Sequence, residues 1–123
     1  MSEETDWEEI RELAERLERG QPIELTASVC ELLRRAARQV ALSDDDATQG
    51  LRSPSDASIL VTKISRRIRV GSRRLSRAIV DASRLQDAGD IQGARKLFED
   101  VLAAEVVPLY REIAQTQLNA LEE

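Results

Sequence analysis

The stretch ASILVTKISRRIRVGSRRLSRAIVDASRL, residues 57–85, decides the fold class. Within it Ala57, Val61, Ile64, Ile68, Gly71, Leu75, Ala78, Ala82 and Leu85 follow one another at alternating spacings of four and three. Apolar residues at that repeat line one side of a helix and pack against neighbouring helices with a left-handed twist. No proline interrupts the chain between Pro54 and Pro108. One helix over 56–87, capped by Ser55 or Asp56, is therefore favoured over two shorter ones broken at Gly71. It would be roughly 48 Å long at 1.5 Å per residue. Gly71 falls on the seam itself, where it costs about 1 kcal/mol of helix propensity relative to alanine but lets a neighbouring backbone approach closely.

The same reading extends outward in both directions. Thr5 and Glu8 have the spacing of a capping box, and Trp7, Ile10, Leu13, Ala14 and Leu17 then share one helical face as far as Gly20. A first helix over about 6–19 results. Thr26 caps a second over about 27–41, with Val29, Leu32, Leu33, Ala36, Ala37 and Val40 as its apolar stripe. Residues 43–54 read as a connection, in which Ser43 could cap one helical turn holding Asp44, Asp45 and Asp46. Gly89 ends the long helix and Asp90 caps the last, over about 91–121. Pro108 lies inside that last helix and should kink it, because proline lacks an amide proton and clashes with the carbonyl of Ala104. The expectation is a single all-α domain over 1–123. It is an antiparallel bundle of about four helices, with a long third helix and a Pro-kinked C-terminal one.

Composition narrows the chemistry. The chain has 123 residues, 33% of them charged and 41% hydrophobic, with a net charge of −5, so it can fold around one core. It contains no histidine, which removes the base of Ser–His and Cys–His catalysis, and its one cysteine, Cys30, cannot staple the fold. Asp44–Asp46 lacks the alternation of an EF-hand loop, and Glu31, Glu99 and Glu105 have no Glu-x-x-His to complete a di-metal site. No catalytic residue, metal site or cofactor is expected; an enzyme working through Asp, Glu, Tyr or Arg is the weaker alternative. The acidic segment from Glu3 to Glu9 does not resemble a secretory signal, and no run approaches the roughly 20 apolar residues of a membrane span. A cytoplasmic location is the default.

Charge is unevenly distributed. Residues 1–55 carry 13 acids and 7 bases, residues 56–89 carry 3 acids and 8 bases, and residues 90–123 carry 7 acids and 3 bases. Between Asp56 and Asp81 every charge is positive: Lys63, Arg66, Arg67, Arg69, Arg73, Arg74 and Arg77. These fall on the outer positions of the heptad. In one reading they pair internally with acids of the first and last helices, for example Glu8, Glu12 and Glu15. In a second they recognise an acidic protein surface, since forked guanidinium groups suit carboxylates. In a third they bind nucleic acid. The net charge, the lack of aromatics among the arginines and the lack of a helix-turn-helix pattern argue against that. A membrane surface is disfavoured because no Trp or Phe is interleaved. A protein partner is thus preferred, with self-association along the long seam and a small-ligand-binding bundle left open. Pro108, Tyr110 and Arg111 form a second candidate, either as a bend packed on the core or as a hot spot for binding.

Several stretches resemble the DUSAM domain, a myxobacterial family of paralogues. They are Trp7, Leu17–Gly20, Ile23–Thr26, Arg67–Leu75, Gly89–Asp90, Gly93–Arg95 and, most specifically, Val101–Arg111 with Ile113–Ala114. The resemblance implies a bacterial, cytoplasmic protein. It carries over no activity, cofactor or catalytic residue, because the family is a domain of unknown function.

Overall fold

The computed structural model describes residues 3–122. They form six helices and, among the described residues, no strand: α1 Glu3–Glu18, α2 Ala27–Gln39, α3 Asp44–Gly50, α4 Pro54–Asp87, α5 Ile91–Ala104 and α6 Pro108–Leu121. The chain divides into two compact units, residues 1–68 and 69–123, and α4 contributes to both. The all-helical class is as expected, and α4 runs through Gly71 without a break. Every seam position from Ala57 to Leu85 is buried or half-buried.

The first unit is built by α1, α2, α3 and the beginning of α4. Ile10, Leu33, Ala36, Val40, Val61 and Ile64 are fully enclosed at its centre. Thr26 caps α2 by accepting from the Val29 amide at 3.2 Å, and Ser43 caps α3 by accepting from Asp46 at 3.0 Å. The single turn anticipated at Ser43 is a seven-residue helix. The cap of α4 is Ser53, whose Oγ accepts from the Asp56 amide at 3.1 Å. The helix thus starts two residues before the expected Asp56. Pro54 fits there because the first helical residue needs no amide proton.

Thr5 does not cap α1; it lies within the helix, which begins at Glu3. Asp6 turns inward instead and is completely buried. Its carboxylate accepts from Arg35 Nε and Nη2 at 3.2 and 3.1 Å and from Gln39 Nε2 at 3.0 Å. Gln39 Oε1 in turn accepts from Trp7 Nε1 at 2.9 Å, so a polar network ties α1 to α2. The Arg35 hydrogen bond is the main cause of a lowered Asp6 pKa, opposed by burial and reinforced by Gln39.

A carboxyl whose pKa is lowered by folding contributes stability that is present above its unfolded value, about 3.9, and that is lost as pH falls through the folded value. Asp6→Asn is therefore expected to lower stability at pH 7 by about 1–2 kcal/mol. It should also flatten the loss of stability below about pH 4, as read by urea titrations at several pH values. An acid limb of unchanged slope would show that Asp6 is not the group responsible.

The second unit is built by the end of α4 with α5 and α6, around Leu75, Ala82, Ala94, Phe98, Val107 and Ala114. Gly89, at φ +80°, ends α4, and Asp90 caps α5 through the Gly93 amide at 2.8 Å. The expected single helix over 91–121 is in fact two. Pro108 is the first residue of α6 rather than a kink inside a longer helix. Residues preceding proline are pushed toward extended backbone, and Val107 is extended at φ −73°, ψ 118°. The break is then fixed by Glu105, whose Oε2 accepts from the amides of Val106 and Val107 at 3.0 and 2.9 Å.

Candidate interaction surface on helix α4

Because the seam of α4 is occupied by core packing, its charged residues divide according to their angle around the helix. Two of the seven basic residues turn inward. Arg67 Nη1 donates to the carbonyls of Val40 and Ala41 at 2.8 and 3.2 Å. Those carbonyls sit at the end of α2, where Ala41 holds φ at +63°. A cation suits this negative helix end, and it pins a turn that a non-glycine residue adopts reluctantly.

Arg74 Nη1 donates to Glu105 Oε1 at 3.0 Å, beneath the helix. The Arg74 side chain keeps about a third of its exposure (35%) while Glu105 keeps 2%. Close approach is possible because Gly71 lies directly above. A Cβ added there would fall 2.5 Å from Tyr110 Cδ2 and 2.7 Å from Glu105 Oε1. Burial raises the pKa of the Tyr110 phenol, and a hydrogen bond with the Ser72 side chain opposes that shift.

The other five, Lys63, Arg66, Arg69, Arg73 and Arg77, are exposed. Among the described residues none of them makes an ion pair or a side-chain hydrogen bond. Among the described residues Glu8, Glu12 and Glu15 are likewise exposed and make no ion pair, and within the basic run Arg74 pairs with Glu105. The outward face also has apolar content that the sequence reading missed. Ile59 is 57% exposed, Val70 39% and Val80 51%. Their signal was available, since all three are large aliphatic residues standing off the seam. In the second unit Arg69, Arg73 and Arg77 repeat every four residues beside Val70 and Val80, which makes that face cationic with aliphatic patches.

The second candidate set is used internally. Pro108 starts α6, Tyr110 packs its ring under Gly71, and Arg111 Nη1 donates to the carbonyls of Leu102 and Glu105, closing the end of α5. In the first unit an open cavity of about 290 Å³ is lined by the charged Asp46, Arg52, Asp56 and Lys63 together with Gln49, Gly50, Ile59 and Leu60. Half of its lining residues are charged, whereas small-molecule sites are predominantly apolar with few polar groups. Among the described residues no three acidic or cysteine side chains gather closely enough to hold a metal ion, and no helix is long and apolar enough to cross a membrane.

A family model described as a protein of unknown function (DUF2379) matches residues 5–121. The chain belongs to that family. Neither a curated protein nor a solved structure matches it. The DUF2379 match runs from within α1 to the end of α6 and so takes in both units and the whole of α4. For this DUF2379 member the family assigns no activity.

Proposed function

We propose that this DUF2379 protein is a non-catalytic interaction module that binds an acidic protein surface through the outward face of α4. The observation that carries the reading is the sorting of the arginines. Arg67 and Arg74 are spent on the fold, while Arg66, Arg69, Arg73 and Arg77 are exposed on α4 and, among the described residues, have no carboxylate partner. Preplaced guanidinium forks lose less freedom on meeting carboxylates than flexible lysines would, and Val70 and Val80 add apolar contact of the kind found at interface cores. The DUSAM resemblance supports a cytoplasmic role in a myxobacterium, as one of a set of paralogues.

Nucleic acid is the second reading, supported by the same four cations. The overall charge of −5 and the absence of any aromatic on α4 count against it. Capture from the source-cell lysate at about 0.15 M salt, with nuclease added, tests both. A protein held by the wild type and lost with Arg66, Arg69, Arg73 and Arg77 changed to Glu is the expected result. Binding that vanishes with nuclease would transfer the face to nucleic acid. Identical profiles for the two baits would remove the docking role altogether.

A further inference from the structure

The rows of charge on α1 and α4 can be compared residue by residue. Glu4, Glu8, Glu12 and Glu15 lie on the outward side of α1, opposite its buried Asp6, Ile10 and Leu13. Their successive spacings are four, four and three. Read backward along α4, Arg77, Arg73, Arg69 and Arg66 are also separated by four, four and three. Two helices laid antiparallel with these rows facing would bring Glu4 to Arg77, Glu8 to Arg73, Glu12 to Arg69 and Glu15 to Arg66. Each row covers about 16 Å at the helical rise. All eight side chains are exposed, and among the described residues none has an ion-pair partner.

We infer that the acidic surface met by the α4 face is α1 of a second copy of this chain, packed antiparallel in that register. The inference rests on the docking reading above and names its partner. The net charge of −5 opposes approach of two copies, and attraction arises only where the rows align. Arg11 and Arg16, exposed at the edges of the α1 row, disfavour sliding by one turn, because they would then meet the arginines of α4. Exposed ion pairs are screened by salt, so the association is weak and strongly dependent on ionic strength.

The experiment compares two fourfold charge swaps that keep the net charge of the wild type. The in-register swap joins Glu8→Arg and Glu12→Arg with Arg69→Glu and Arg73→Glu, and every facing pair remains attractive. The out-of-register swap joins Glu4→Arg and Glu8→Arg with Arg66→Glu and Arg69→Glu, and every facing pair becomes repulsive. Circular dichroism first establishes that each is helical, and sedimentation equilibrium then gives the mass over a range of protein concentrations. In about 0.02 M salt the wild type and the in-register swap are expected to rise above 13.8 kDa. Both should return to the monomer mass at about 0.5 M salt. The out-of-register swap should stay monomeric, with a dissociation constant at least tenfold weaker. A wild type that remains at 13.8 kDa in low salt, or two swaps that associate alike, would overturn the inference. If the lysate capture still returns an arginine-dependent protein, the docking reading survives with a different partner. If both experiments fail, both readings fall.

Discussion

Replacing Gly71 with leucine is expected to lower the urea midpoint and to cost about 3 kcal/mol of stability. Helix propensity alone predicts the opposite sign, since a non-glycine residue in the middle of a helix gains up to about 1 kcal/mol. Steric contact decides against it. A Cβ at this position comes within 2.5 Å of Tyr110 Cδ2 and 2.7 Å of Cε2, on a ring that is only 8% exposed. On the same side it comes within 2.7 Å of Glu105 Oε1, which is tied to Arg74. Neither neighbour is the free end of a flexible chain. Gly71→Ala should therefore also destabilise, by less than leucine does. An alanine variant with a raised midpoint would show that the ring moves aside easily and that propensity wins.

Glu105→Ala is the second large effect, with an expected loss of about 3 kcal/mol. The carboxylate accepts three hydrogen bonds: from Arg74, Val106 and Val107. Truncation leaves the buried Val107 amide and the neighbouring Val106 amide without their acceptor. It also strands a guanidinium, although the part of Arg74 that stays exposed lets water recover some of that loss. Glu105→Gln retains an oxygen acceptor and should cost about half as much. Urea titration of both variants checks the order. A loss below about 1 kcal/mol for alanine would mean that water replaces the carboxylate at the break between α5 and α6.

The seam of α4 was legible because local spacing determines it, and Gly71 could be placed at a close contact before any neighbour was known. The caps at Thr26, Ser43 and Asp90 were legible for the same reason, as each acts within three residues. What could not be read depends on residues distant in sequence. Asp6 looked like one more acid in a helix start, and only Arg35, 29 positions away, makes it a buried anchor. Pro108, inside otherwise helical sequence, reads as a kink, and it is a helix start instead. The choice was made by Glu105, whose carboxylate takes up the two amides that the break exposes. The basic face of α4 was half legible. The positive run stood out in the sequence, but which arginines would be consumed internally depended on the backbone carbonyls of Val40 and Ala41 and on Glu105.

The 34-residue length of α4 bears on how the chain acquires its structure. Starting a helix is the costly step, with a nucleation constant near 0.001, while each further residue adds at little cost. Ala57, Val61 and Ile64 anchor the early turns of this helix in one core, and Leu75, Ala78 and Ala82 anchor later turns in another. A single nucleus therefore serves both hydrophobic clusters. Whichever cluster condenses first extends an ordered template into the other, and fraying at one end of the helix is resisted by side chains packed several turns away.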